Sequence, residues 1–277
     1  MVAHKDISCI KMQAKQQLLG NYQTIIKSLV VVVVSVYCIM AILMSVSMAG
    51  NPGMLNYYEN GSIADPMSRE AIINKITVYF IGFVAGAILD LLLVGYLNIV
   101  MNVVRSEDIK PFSLYFAFKN HPDKVLIMYI IMLVIHSVAM IPVRIAGRFT
   151  TDKEGNIVGA AFFVWIVVYV ICAIVVIVID IMYALRYLIY IDDPEQSVRD
   201  IMARSRKLMK GNVLRYAYMY LSLIGYALLG ILSFGIGFLW ITAYKDAIVV
   251  NFYDDIRILT GDKTIETAKE PATELAE

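Results

Sequence analysis

Six ionisable side chains stand inside stretches that are otherwise almost free of charge: Asp90, His136, Asp180, Arg186, Lys245 and Asp246. In hydrocarbon an ionised carboxylate costs roughly 2.5–3.5 kcal/mol on insertion scales, so each such group needs a partner, a proton or water. Two kinds of chemistry meet that need. Asp90, His136, Asp180 and Lys245 could form a polar seam that binds and passes a small solute or ion. The same groups could instead neutralise one another as interhelical ion pairs. Residue counts from the span ends put Lys245 near the depth of Asp180 and Asp246 near that of Arg186, which predicts the pairs Asp180–Lys245 and Asp246–Arg186. Asp90 with His136 is a further candidate pair. Pairing is the first reading and transport the second. A lone intramembrane histidine such as His136 ordinarily bonds one helix to another.

No catalytic set accompanies these groups. The chain has no HExxH, no nucleophile elbow and no phosphate-binding glycine loop. His4, His121 and His136 are dispersed, and Cys9, Cys38 and Cys172 form no CxxC, so neither a metal centre nor a disulfide framework is expected. The expectation is a protein that is not an enzyme and uses no cofactor. A formal net charge of +1 gives no reason to expect a nucleic-acid partner.

The elements that must hold the six groups are apolar helices. Of 277 residues 60% are hydrophobic and 17% charged, a balance foreign to soluble domains. The excess is gathered into runs that reach the roughly 20 residues needed to cross about 30 Å of hydrocarbon. Spans are expected at residues 24–50, 76–104, 125–143, 159–191, 213–232 and 234–254, the last two separated by a break at Ser233–Gly237. Each must be a helix, because unpaired backbone amides are prohibitive in lipid. The segment Lys5–Ala49 has small residues at a cleavage-like offset, Ser47-Met48-Ala49, but its apolar part is too long for a secretory signal and is expected to remain as an anchor. The fold class expected is all-α: a six-helix polytopic membrane bundle forming one domain over residues 1–259, with a disordered tail at 260–277.

Lys and Arg fix the orientation. Four precede the first span, four lie in Arg105–Lys124, seven in Arg186–Arg215 and four from Lys245 onward, against five on the other side (Arg69, Lys75, Arg144, Arg148, Lys153). The positive-inside rule then places both termini in the cytoplasm.

Between the spans lie amphipathic segments. Ile7, Ile10, Ala14 and Leu18 share one helical face and Gly20-Asn21 ends the segment; either the helix lies on anionic lipid head groups or it packs on its neighbours. Pro111 is placed to start a second short helix carrying Phe112, Tyr115 and Phe116. Asp193, Pro194 and Gln196 suit the cap, first-turn proline and third position of a third, whose apolar face is Val198, Ile201, Met202, Ser205, Leu208 and Met209 and whose end is Gly211-Asn212. Gly82 and Gly86 have the spacing that lets another helix approach. Outside, Asn51-Pro52-Gly53, Asn60-Gly61 and Asp65-Pro66 mark turns. Tyr96, Tyr183 and Tyr244 precede acidic clusters at Glu107-Asp108, Asp192-Asp193 and Asp254-Asp255, so the chain reads as three tandem units, each a surface helix followed by a transmembrane hairpin. Partners implied are membrane lipids, including anionic head groups at the cytoplasmic face, and unspecified membrane proteins.

The stretches Ser205–Asn212, Leu221–Gly225, Gly235–Trp240 and Tyr244 with Phe252–Asp255 resemble the bacterial domain-of-unknown-function 975 membrane family, and Ala14–Asn21 fits its opening. Tyr226 stands where that family usually has Trp, and Ala243 where a Pro commonly precedes the Tyr. The resemblance implies a multi-pass protein of the bacterial cytoplasmic membrane. It carries over no catalytic or binding residue.

Overall fold

The computed structural model describes residues 5–49, 69–108, 113–150 and 159–261. Pro111 and Phe112, the turn signals between residues 51 and 66, and the tail from 262 lie outside them. Among the described residues every regular element is a helix. In chain order these are α1 (Ile7–Leu18), α2 (Tyr22–Ala49), α3 (Arg69–Val104), a 3₁₀ turn (Ser113–Tyr115), α4 (Phe116–Lys119), α5 (Pro122–Ala139) and α6 (Ile141–Gly147). There follow α7 (Gly159–Met182), α8 (Arg186–Asp192), α9 (Val198–Met209), α10 (Val213–Leu221), α11 (Ile224–Leu232) and α12 (Gly237–Leu259).

Five stretches are long and apolar enough to cross a membrane: Tyr22–Val46, Ile72–Val104, Pro122–Gly147, Gly159–Asp192 and Val213–Leu232. α12 stands outside that set, because Lys245, Asp246, Asp254 and Asp255 interrupt it. The surfaces of the five long stretches are covered with exposed Val, Ile, Leu and Phe, as helices facing lipid require. The chain is a membrane protein.

Burial is concentrated at one end. The C-terminal turns of α3, all of α8 and the stretch of α12 from Ala243 to Ile256 converge there, and α1, α4 and α9 close over them. The apolar face of α1 (Ile10, Ala14, Leu18) is fully buried, chiefly against α12. That of α9 (Ile201, Met202, Ser205, Leu208, Met209) packs on α8 and α7. Both faces are thus taken by protein rather than by acyl chains, while Lys15 on α1, Arg199, Arg206 and Lys207 on α9, and Lys210 at its C-cap stay exposed.

Three spans expected to be continuous are broken. The third is interrupted at Met140, between α5 and α6, where Pro142 follows in the next turn. Two breaks occur with no proline: the fourth span is interrupted at Tyr183–Leu185, between α7 and α8, and the fifth at Ser222–Leu223, between α10 and α11. A break inside a span is tolerated only where the freed carbonyls find donors. At the break in the fourth span Ser205 Oγ, brought up by α9, donates to the Met182 carbonyl at 3.0 Å, and the Arg186 guanidinium returns to the Tyr183 carbonyl at 3.1 Å. At that in the fifth, Ser222 Oγ donates to the Met219 carbonyl at 2.5 Å.

Start and stop signals are mostly as expected. Gly20 and Gly211 both take φ +88°, the left-handed conformation that ends α1 and α9 alike; before α5 the same role falls to His121 at φ +52°. The hairpin between α11 and α12 turns on Phe234 (φ +53°) and Gly235 (φ +88°). The start of α9 differs: Ser197, not Asp193, is the cap. Its Oγ accepts from the Asp200 amide at 3.2 Å and donates to the Asp200 carboxylate at 2.7 Å, a tighter box than the Asp193–Gln196 arrangement offers. Of the two spaced glycines, only Gly86 is in a close approach, where a Cβ would meet the Tyr129 ring of α5; Gly82 faces open space. The tightest approach is at Gly95, where a Cβ would lie 1.7 Å from the Leu114 carbonyl oxygen.

Candidate functional site

Between α2, α3, α7, α8, α10 and α12 lies a cavity of about 780 Å³, within the range of roughly 300–1,000 Å³ usual for small-molecule sites. Four of the six singled-out groups line it: Asp180, Arg186, Lys245 and Asp246. Asp90 and His136 stand just behind the wall. Asp90 accepts a hydrogen bond from the hydroxyl of Tyr187, a lining residue, and His136 bonds Asp180 at 2.8 Å.

The structure therefore gathers all six residues but pairs them differently from the expected scheme. Asp180 meets His136 across α5 and α7 rather than Lys245. Lys245 Nζ lies 3.0 Å from its own neighbour Asp246, which also accepts from the Tyr96 hydroxyl at 3.1 Å. Asp90 has Tyr187 rather than His136. Counting residues along a span gives depth but not azimuth, and α12 packs on α1, α2, α3 and α11 while α7 turns its polar edge to α5. Arg186, expected to answer Asp246, instead lies over the Tyr187 ring at 4.2 Å, and its Nε is buried with no acceptor.

A second polar cluster ties the buried end together. Arg105, the residue after α3, contacts Asp192 at 2.5 Å and Asp254 at 2.6 Å. Asp192 also takes Arg257 at 2.9 Å and the Tyr253 hydroxyl at 2.7 Å. Beside it Arg215 pairs with Asp255 at 2.7 Å and reaches the Lys5 carbonyl. Burial works against the Arg105 charge, but the hydrogen bonds to Asp254 and Asp192 more than offset it and hold the guanidinium pKa above its ordinary value. Three helix ends, those of α3, α8 and α12, are thereby cross-linked in one network. Asp192 and Asp254 belong to the acidic clusters legible at the unit ends; Arg105 was the missed partner, and its signal was a lone arginine at the end of an apolar run.

Among the described residues no group of three His, Cys, Asp or Glu side chains is placed to hold a metal ion. The cavity's chemistry is that of polar anchors on an apolar wall. Such a wall can bind and orient a ligand.

A family model described as "Protein of unknown function (DUF975)" matches residues 7–260, from the first residue of α1 to one past the end of α12. The chain belongs to that family. No curated protein and no solved structure matches it. DUF975 membership thus spans the capping helices and both polar clusters, and the site has to be read from its own geometry.

Proposed function

We propose that this DUF975 protein is a non-enzymatic accessory component of the bacterial cytoplasmic membrane, crossing it six times with both termini in the cytoplasm. In this reading α12 is the sixth crossing, its charges sheltered by the capped end, and α1, α4 and α9 open three tandem units. Support for an accessory role comes from one observation above all. The basic helix α9 is held rigidly at the capped end by its buried face and by Ser205, yet leaves Arg199, Arg206, Lys207 and Lys210 uncovered. A fixed row of cations on a side that the positive-inside rule makes cytoplasmic suits an acidic segment of a partner protein, with anionic head groups beside it. The absence of a reactive motif in the sequence supports the non-enzymatic part.

The test is a photo-crosslinking amino acid placed at Arg199 and at Lys207 in growing cells. The expected result is one discrete protein adduct, lost in the variant Arg206→Gln/Lys210→Gln without loss of thermal stability. If both positions yield no protein adduct from a folded chain, the accessory reading fails. A fluorescent reporter fused after Glu277 must also light up inside the cell.

The cavity favours a second reading, a small-solute or ion-coupled carrier that uses the intramembrane Asp, His and Lys groups. Here Asp180–His136 and Lys245–Asp246 would be proton- or ion-accepting pairs. Solute flux in proteoliposomes, parent against Asp90→Asn and Asp180→Asn, decides it. Flux reduced by variants that still fold supports a carrier, and no flux from the parent removes it.

A further inference from the structure

The cavity has a side on which it opens. Its strongly exposed lining residues are confined to α7 (Ile177, Asp180) and to α10–α11 (Tyr220, Leu221, Ile224), whereas the lining residues of α3, α8 and α12 are buried or half-buried. The mouth therefore lies between α7 and α10–α11, and its apolar rim, with Ile177 56%, Leu221 63% and Ile224 54% exposed, continues the lipid-facing surface of two spans. Both flanking spans are interrupted beside it, at Tyr183–Leu185 and Ser222–Leu223. An aperture in that position opens sideways into the acyl layer.

Inside, the ionised groups are unequally satisfied. Asp180 has His136; Asp246 has Lys245 and the Tyr96 hydroxyl. Arg186 forms no ion pair among the described residues. It donates to the Tyr183 carbonyl and lies against Tyr187, with the Asp90 carboxylate close enough to interact with it but not in ion-pair contact, and its Nε is buried without an acceptor. Arg186 lines the cavity as a guanidinium without an ion pair, a group that an acceptor of opposite charge would satisfy. Lys245, on α12 and paired with Asp246, adds a second cation to the lining. The remaining wall is aliphatic and aromatic, with Leu93, Leu97, Leu188 and Val249 on the inner side.

From these features we infer that the cavity is a binding site for a single-chain anionic amphiphile. Its carboxylate or phosphate head is held by Arg186 and its acyl chain lies along the apolar wall, entering from the bilayer between α7 and α10–α11. A volume of about 780 Å³ suits one chain and a small head group rather than a whole diacyl lipid. The site shares the cavity with the carrier reading but does not depend on it: an amphiphile bound without flux supports the site and removes the carrier.

The experiment uses the full chain in nanodiscs of zwitterionic lipid and a palmitic acid probe bearing a photoreactive diazirine. Adducts are mapped by peptide mass spectrometry. The expected labels fall on the segments 177–188 and 216–224, and unlabelled palmitate and lysophosphatidic acid compete while lysophosphatidylcholine does not. Arg186→Gln weakens labelling about tenfold or more, since it removes a charge-assisted bond. Ala217→Trp, which fills the cavity from α10 without touching a charge, abolishes it. Thermal melts show which variants fold; should Arg186→Gln not fold, Ala217→Trp and the competition series decide. Labels spread evenly over the lipid-facing helices, or undiminished in Ala217→Trp, overturn the proposal. So does competition by inorganic phosphate or acetate as effective as that by the amphiphiles, which would make the site one for a soluble anion.

Discussion

Arg105→Ala is the sharpest probe of how the capped end is held. The side chain touches two carboxylates on two other helices, Asp192 on α8 at 2.5 Å and Asp254 on α12 at 2.6 Å. Asp192 is 3% exposed, so it cannot turn to water when the guanidinium is removed. Removing one partner of a buried pair typically costs about 3–5 kcal/mol. Here Asp192 keeps Arg257 at 2.9 Å and the Tyr253 hydroxyl at 2.7 Å, so the cost falls at or below the foot of that range, about 2–3 kcal/mol. At roughly 2–4 °C per kcal/mol for a chain of this order of size, the midpoint of thermal unfolding falls by about 5–10 °C. Asp192→Asn loses more, because it leaves both Arg105 and Arg257 short of charge. Arg105→Lys recovers only part of the loss, since an ammonium cannot bridge two carboxylates in the same fork. Melts of detergent-purified protein followed by circular dichroism read all three, with exposed Arg199→Ala as the control. The effect should persist at high salt, because buried pairs are little screened. If Arg105→Ala and Asp192→Asn both melt within about 2 °C of the parent, where ordinary surface changes fall, the network does not hold the helix ends and the reasoning is refuted.

Three further outcomes are expected. Gly95→Ala puts a methyl 1.7 Å from the Leu114 carbonyl oxygen, so backbone must move at a cost of about 3 kcal/mol or more, and the yield of monodisperse protein should collapse while Gly82→Ala, facing open space on the same helix, leaves it unchanged. Gly211→Ala meets no atom within 4 Å but must hold φ +88°, a conformational cost of about 1–2 kcal/mol; Gly211→Asn should melt closer to the parent. Ser197→Ala removes the cap of α9 and should destabilise by about 1 kcal/mol, seen as faster amide hydrogen exchange in the first turn of that helix.

The helical class and five of the six expected spans were legible because they follow from run length and the absence of charge, which need no knowledge of neighbours. The ends of α1 and α9 were legible for a similar reason: a glycine after an amphipathic run has one economical use, and Gly20 and Gly211 have it. The breaks in the fourth and fifth spans were not, and they lack the proline that stands near the break at Met140. Neither Tyr183–Leu185 nor Ser222–Leu223 contains Gly or Pro, and the first is sustained by Ser205, some twenty residues away on another helix. The six intramembrane groups were recognisable singly from their cost in lipid, yet their partners depend on the rotation of each helix about its axis. Lys245 pairing with the adjacent Asp246 illustrates this, as does the turn of Asp180 toward His136. Asp192 and Asp254 stood out as acidic span ends, but only their convergence on Arg105 gives them a use.

The breaks and the cavity have a common physical origin. An unbroken α7–α8 helix would satisfy its own carbonyls and need nothing from α9. Interrupted at Tyr183–Leu185, it requires the Ser205 hydroxyl at the Met182 carbonyl and turns Arg186 back on the Tyr183 carbonyl, which leaves the guanidinium at the cavity wall. The helix that carries Ser205 on its buried face carries Arg206 and Lys207 on its exposed one. α9 is therefore bonded to the wall of the cavity on one side and open to the aqueous phase on the other. A rigid element in that position gives whatever docks on its basic face a mechanical connection, through one hydrogen bond and a single turn of backbone, to the only lining cation without an ion pair among the described residues. If α9 moves, the carbonyl at Met182 loses its donor, so a partner docked on the basic face acts on the same interrupted turn from which Arg186 reaches the cavity wall.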